Sequence, residues 1–295
     1  MTRRAETDAP LGGPIRLVRP LRQTRPLVLA SPHSGRRYPE SFLALSRLPL
    51  VDLRASEDTH VDTLFEAGPD LGVPLLCALF PRVYVDVNRE RLELDPSMFF
   101  DPLPANARTE TPRVRAGLGT LSRVAGEGNH IYRRKLAFAD AESRLRQCYD
   151  PYHAALAGLI GETRARFGYC VVLDCHSMPS SAVDGMGGRG GAPDMVLGDR
   201  HGGSCDSTVT DSAEAVLTDA GFRVRRNQPY AGGFTTSHYG RPGLGVHVLQ
   251  LEINRALYIN ERTRDLTPGA DRLRAVVPAL VAVLGTLSGM PLAAE

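Results

Sequence analysis

The chain has 295 residues, with 35 Lys and Arg against 33 Asp and Glu for a formal net charge of +2. That length suits one large α/β domain or two small ones, and charges this balanced and scattered argue against a nucleic-acid surface or a polybasic membrane patch. The basic first residues have no apolar segment behind them, and the longest apolar run, 275–287, contains Pro278 and falls short of the roughly 20 residues a spanning helix needs, so a cytoplasmic globular protein is expected.

Residues 1–13 are small and polar and read as a flexible N-terminus, leaving 14–295 as one domain. An apolar run at 26–30 reads as a buried strand that stops at Ser31-Pro32-His33-Ser34-Gly35. Residues 58–70 place Val61, Leu64, Phe65 and Leu71 at helical spacing, with Ser56 as N-cap and Glu57 and Asp58 in the first turn. Strands are expected at 75–80, a continuous apolar run, and at 83–87, an alternating one.

From 90 to 130 no period is sustained, which predicts a long irregular excursion facing a substrate. A one-faced helical pattern occupies 141–167, where Pro151 kinks the helix or starts a second one. A second apolar run at 169–173 ends at Asp174-Cys175-His176-Ser177. The glycine-rich segment that follows, 178–193, is a loop. A short strand at 194–197, a helix at 211–220 stopped by Gly221, a strand through Phe222 and Val224, an alternating strand at 246–253 and a closing helix at 273–287 complete the chain. Strands and helices alternate throughout, so the fold class is α/β, three-layered, with a mixed, mostly parallel sheet and helices on both faces. Cys77, Cys148, Cys170, Cys175 and Cys205 are odd in number and lack C-x-x-C spacing, which argues against disulfides and a cysteine zinc site.

Three groups of residues carry potential chemistry. His33 and His176 each follow a buried strand, at the carboxyl edge of the sheet where open α/β folds bind ligands. A single strand-end histidine is ordinarily just a hydrogen-bonded loop residue; two of them with acids nearby suggest one shared metal ion. Asp174, on the same side of an extended strand as His176, suits the acceptor that a ligating imidazole needs on its other nitrogen. A catalytic zinc takes about three protein ligands, and chemistry alone leaves Glu57, Asp58 and His60 open as the third. In the second group, alternation sets Arg82, Tyr84, Asp86 and Asn88 on one strand face with Arg89 at the end, a guanidinium-and-amide grip for a carboxylate or else an Arg82–Asp86 salt bridge. Third, Glu252 lies between Leu251 and Ile253 and is costly to bury unless paired, for instance with Arg255, or employed as a proton carrier. Asn227 through Gly233, running on to His238-Tyr239-Gly240, is by itself an ordinary turn.

Taken in order, Pro32-His33-Ser34-Gly35, Asp58-x-His60, Arg82 with Asp86-x-Asn88-Arg89, Pro151-Tyr152-His153, Asp174-x-His176-Ser177, Leu197-Gly198-Asp199, Ser204-Cys205, Asn227 to Gly233, His238-Tyr239-Gly240 and Gln250-x-Glu252 resemble the N-formylglutamate amidohydrolase family over about residues 26–265. The resemblance implies a phosphorylase/hydrolase-like α/β core similar to zinc carboxypeptidases and aspartoacylases, and a cytoplasmic hydrolase of histidine degradation. It implies one Zn²⁺ (other divalent metals being possible) held by His33, Asp58 and His176, with Glu57 second choice to Asp58. The His-x-x-Glu spacing of the wider fold fails here, because Arg36 stands three residues after His33.

By the same resemblance Glu252 is the general base and Arg82 the stabiliser of the oxyanion, while Asn88, Arg89, Asn227 and His238 bind the substrate, a small N-acyl amino acid such as N-formyl-L-glutamate. The glycine-rich stretch 185–191, with Arg189 in it, is expected to close over the site. Competing readings are a zinc carboxypeptidase or another N-acyl amino-acid deacylase, and a non-catalytic binding protein on the same fold. No nucleic-acid or membrane partner is expected, and the oligomeric state is open.

Overall fold

The structure is a computed structural model that describes residues 13–126, 128–186 and 191–287; the flexible N-terminus expected over 1–13 lies, Gly13 apart, outside the described residues. Its strands are β1 (Ile15–Val18), β2 (Leu27–Ser31), β3 (Leu75–Ala78), β4 (Val124–Ala125), β5 (Asn129–His130), β6 (Cys170–Met178), β7 (Met195–Gly198), β8 (Val224–Arg226) and β9 (Val246–Asn254). Seven of them form one sheet in the order β1-β3-β2-β6-β9-β7-β8, and β4 and β5 make a separate hairpin. Pairings among β3, β2, β6 and β9 are parallel, as is β7 with β8. β1 runs antiparallel to β3, and β7 to β9.

The helices are α1 (Glu40–Leu45), α2 (Leu50–Leu53), α3 (Val61–Leu64), α4 (Pro112–Arg115), α5 (Phe138–Arg144), α6 (Asp150–Phe167), α7 (Ser207–Asp219), α8 (Phe234–Tyr239) and α9 (Gly269–Leu284). They cover both faces of the sheet, which explains why every residue of β2, β6 and β9 is buried and why these strands read as apolar runs. Strand alternation sorts the core: Val171, Leu173 and Cys175 pack with α3, α7 and α9, while Cys170 and Val172 pack with α5 and α6. Pro151 opens α6 directly after a one-turn π segment, Leu145–Tyr149, and Gly168 at φ 84° ends it, the left-handed position where a Cβ is penalised. This is the three-layer α/β fold expected from the sequence. All five cysteines are buried and free, and no helix of the described residues is long and apolar enough to cross a membrane.

Three local expectations need correcting. The helix expected over 58–70 shrinks to α3, because His60 adopts φ 65° and the Asp58 backbone N–H is tied to the His33 carbonyl at 3.1 Å; Ser56 belongs to a 3₁₀ turn and caps nothing. Residues 83–87 form a turn, with Tyr84 and Val85 donating to the Pro81 carbonyl at 2.9 and 3.3 Å. Their alternation nonetheless buries Val83, Val85 and Val87. Finally, β6 continues through His176 to Met178, so this histidine lies within the strand. Strand β1 and helix α8 were not expected.

Candidate active site

Strand β2 ends at Ser31, and the chain turns so that His33 lies over the end of the sheet. The turn is held by Ser34, whose Oγ meets Ser31 Oγ at 2.6 Å and accepts from the Asp62 N–H at 3.1 Å. Gly35 completes it, since a Cβ there would stand 2.0 Å from the Phe80 carbonyl oxygen. On the neighbouring β6, Asp174 and His176 alternate on one face, level with Gln250 and Glu252 of β9 in the parallel register. Four polar side chains thus occupy two adjacent strands because side chains repeat every second residue.

The two imidazoles meet Asp58 in a buried triangle. His33 Nδ1 and His176 Nδ1 are 3.1 Å apart, and Asp58 Oδ2 lies 3.3 Å from the first and 3.2 Å from the second. His33 donates from Nε2 to Asp86 Oδ1 at 2.8 Å, so its Nδ1 faces the triangle as a lone pair. Asp174 Oδ2 lies 2.9 Å from His176 Nε2, in ion-pair range but off the N–H line, and neither Asp174 oxygen has a hydrogen-bond partner among the described residues. The Asp174 charge at this distance favours a proton on Nε2, which leaves Nδ1 of His176 as a lone pair toward Asp58. Three acceptors directed at one point repel one another unless a cation sits between them. For metal–ligand bonds of about 2.0–2.1 Å, tetrahedral geometry sets ligand atoms roughly 3.3 Å apart, close to the separations found. The donor set fits a divalent cation such as Zn²⁺, and His33, Asp58 and His176 are the cluster among the described residues with that geometry.

The surrounding residues orient this triangle. Arg255 donates from Nη2 to Asp58 Oδ1 at 3.0 Å and from Nε to Ser177 Oγ at 3.1 Å, which turns Oδ2 of Asp58 toward the histidines. Burial pushes the Asp58 carboxyl up, but its neighbours His176, His33 and Arg255 outweigh that and hold the group well below the usual range. Asp86 likewise stays ionised against its burial, helped by His33, Arg89 and Arg82; Arg82 donates to its Oδ2 at 2.9 Å. Glu252 behaves differently. Burial and the Asp58 charge, opposed by His176, Arg82 and Arg255, leave it pushed up to about 7, and Gln250 donates to its Oε1 at 2.9 Å. A carboxyl near 7 suits acid–base catalysis at neutral pH.

His33, His176, Glu252, Arg82, Arg89 and Tyr230 are among the residues lining a cavity of about 540 Å³. A larger basin of about 750 Å³, formed by residues 19–22, 24–25 and 69–72, contains none of them. Several expected residues sit elsewhere. Glu57 turns away to Tyr38, Arg54 and Thr59, at 2.8, 3.1 and 3.2 Å, and His60 to Arg36 and the Arg264 carbonyl. Asn227 closes a turn with Asp199, while His238 stacks on Phe234 outside the cavity. Asn88 borders the cavity, but its amide already serves Thr235 and Gln250. The buried pairing of Glu252 with Arg255 does not form, because Arg255 goes to Asp58. Of the stretch expected as a lid, 185–191, residues 187–190, including Arg189, lie outside the described residues.

Asp86 as the acceptor behind His33, and Arg255 as the residue orienting Asp58, were not anticipated in those roles. Their signal was limited to charges flanked by apolar residues in Val85-Asp86-Val87 and by the strand end at Asn254-Arg255.

Comparison with known proteins adds a consistent result. The family model described as N-formylglutamate amidohydrolase matches residues 25–259. An N-formylglutamate deformylase of Pseudomonas aeruginosa is 32% identical over 267 residues, covering 87% of this chain and 91% of that one. A Pseudomonas putida protein of the same name is 30% identical over 242 residues, covering 80% and 82%. The crystal structure of an N-formylglutamate amidohydrolase from Ralstonia eutropha JMP134 superimposes with a TM-score of 0.86 at 38% identity, over 92% of this chain and 96% of that one.

Proposed function

Because the chain belongs to the N-formylglutamate amidohydrolase family and is a hydrolase of amide C–N bonds, we propose that it cleaves N-formyl-L-glutamate to formate and glutamate with the help of a divalent cation held by His33, Asp58 and His176. The observation that carries this reading is the triangle of acceptors at 3.1–3.3 Å beside a protonatable Glu252. When bound, such a cation lowers the pKa of a coordinated water toward neutrality and polarises a carbonyl oxygen.

The chain's own residues supply the rest. Glu252 takes a proton from the attacking water and delivers it to the amine nitrogen as the C–N bond breaks. Arg82, steadied by Asp86, offers its remaining N–H groups to the carbonyl oxygen as that atom gains charge. Arg89 is clamped by the Leu118 and Asn88 carbonyls at 2.9 and 2.8 Å, with Nη2 3.8 Å from Asp86 Oδ2, and from the cavity wall it takes the α-carboxylate. Asn88 supports the wall: it accepts from the Thr235 N–H at 2.8 Å, and a Cβ on Gly233 would collide with its amide.

Metal analysis of the purified protein and of His33→Ala, Asp58→Ala, His176→Ala and Glu57→Ala tests the site, alongside formate release from N-formyl-L-glutamate. The expected result is one divalent ion in the wild type and in Glu57→Ala, and none in the other three. A wild type that stays metal-free in excess Zn²⁺, Co²⁺ or Mn²⁺ sinks the metal reading. Faster turnover of N-acetyl-L-glutamate or of C-terminal dipeptides sinks the formyl specificity.

A further inference from the structure

Four guanidinium groups line the cavity, those of Arg82, Arg89, Arg113 and Arg255, against the carboxylates of Asp86 and Glu252. Three of the four are engaged inside the protein. Arg82 is bonded to Asp86. Arg89 holds the Leu118 and Asn88 carbonyls. Arg255 uses all its nitrogens on Ser177, Asp58 and the Ala55 carbonyl.

Arg113 differs. Its guanidinium has no hydrogen bond or ion pair with any other described residue, although its backbone is firmly placed. Thr111 Oγ1 caps α4 by accepting from the Val114 N–H at 3.1 Å, and the Leu118 N–H donates to the Arg113 carbonyl at 2.8 Å. Leu118 also holds Arg89, so the two cations share one wall of the cavity. A half-buried arginine on a fixed turn, beside a second arginine and with more cations than anions among the described lining residues, calls for an anion from outside. Its planar fork suits a carboxylate held by two parallel bonds.

The order of contacts assigns the two carboxylates of an acidic substrate. Arg82 and Arg89 flank Asp86, which is bonded to the ligand His33, so they serve groups next to the scissile amide. Arg113 is bonded to none of these residues and comes from the irregular excursion that contributes Arg113, Leu118 and Ser122 to the cavity lining. We propose that Arg113 receives the side-chain carboxylate of the substrate and thereby makes the enzyme prefer N-formyl derivatives of acidic amino acids. This rests on the deformylase reading above.

The test compares kcat/KM for N-formyl-L-glutamate and for its neutral isostere N-formyl-L-glutamine in the wild type and in Arg113→Met and Arg113→Lys. In Arg113→Met the glutamate-over-glutamine ratio is expected to fall about 100-fold, mainly through KM, because a site built around a polar group of the substrate discriminates through the partner left unpaired. Arg113→Lys keeps the charge without the fork and recovers part of the ratio. A ratio that moves less than about threefold in Arg113→Met overturns the assignment. If the wild type cleaves neither substrate, the deformylase reading fails separately. Calorimetric binding of L-glutamate then decides the residue: weaker binding to Arg113→Met than to the wild type supports the role, and equal or undetectable binding in both overturns it.

Discussion

Asp86 offers a test of how the candidate metal site is held in shape. It accepts three hydrogen bonds: from His33 Nε2 at 2.8 Å and the Asn88 N–H at 2.9 Å on one oxygen, and from Arg82 Nη2 at 2.9 Å on the other. The substitution Asp86→Asn keeps the shape but leaves one oxygen. If that oxygen stays with His33 and Asn88, the new amide N–H₂ faces Arg82 donor against donor. If it flips, the clash falls on His33 and Asn88 instead. Hydrogen bonds to charged groups contribute about 1.5–3 kcal/mol, so one lost bond and one repulsive contact lower stability by about 2–3 kcal/mol. The weaker acceptor behind His33 also makes that imidazole a poorer ligand, and loss of such outer partners typically costs about 10–100-fold in metal affinity, or about 1.4–2.8 kcal/mol. Urea unfolding of chelator-treated protein reads the first quantity, and competition with a chromophoric chelator reads Zn²⁺ affinity. If Asp86→Asn binds Zn²⁺ within about threefold of the wild type, the acceptor behind His33 does not matter to the site and this reasoning is wrong.

Glu252→Gln retains size and the Gln250 contact but cannot carry a proton, so kcat should drop about 10²–10⁴-fold with metal content unchanged; formate release and metal analysis on the same sample check it. In Gly35→Ala the new Cβ meets the Phe80 carbonyl oxygen at 2.0 Å and the Leu79 carbonyl carbon at 2.6 Å, both backbone atoms that cannot swing away. A loss of about 3 kcal/mol or more is expected, and an unchanged urea midpoint would refute it. Asp199 is raised by burial, but bonds from Asn227, the Gly202 N–H and Thr210 outweigh that and depress its pKa. A depressed carboxyl stabilises the fold fully above its unfolded pKa, about 3.9, and loses that contribution as pH falls through the folded value. Asp199→Asn should therefore be less stable than wild type at pH 7 by about 1–3 kcal/mol, with the gap closing below pH of about 4. A gap independent of pH would show that charge plays no part.

What could be read from the sequence was whatever repeats or stops. The runs ending at His33 and near His176 were legible as buried strands because helices cover both faces, and Glu252 stood out because a carboxylate between Leu251 and Ile253 needs a reason. The third candidate ligand was not legible from chemistry: Glu57, Asp58 and His60 differ only in where the backbone points them, and that depends on the left-handed turn at His60 and on the Asp58 N–H reaching the His33 carbonyl. A helical period over 58–70 misled for the same reason, since tertiary bonds overrode it. Val83, Val85 and Val87 alternate yet form a turn, because burial on one side is a property of loops packed on a core as well as of strands. Asn227 and His238 carried a motif whose residues fold into support for a turn and a small aromatic stack, a distinction that composition cannot make.

The position of β9 has a bearing on how the chain is made. It is the last strand of the main sheet to be translated, yet it lies between β6 and β7 and pairs with β6 along nine successive residues, from Cys170↔Val246 to Met178↔Asn254. Until that segment leaves the ribosome, a nascent chain presents a long apolar edge with nothing to cover it, and β7 and β8 have no place to dock. Open edges of this kind recruit neighbouring polypeptides. Synthesis stalled or cut short before residue 246 should yield insoluble material, and recombinant production should benefit from slowed translation or added chaperones.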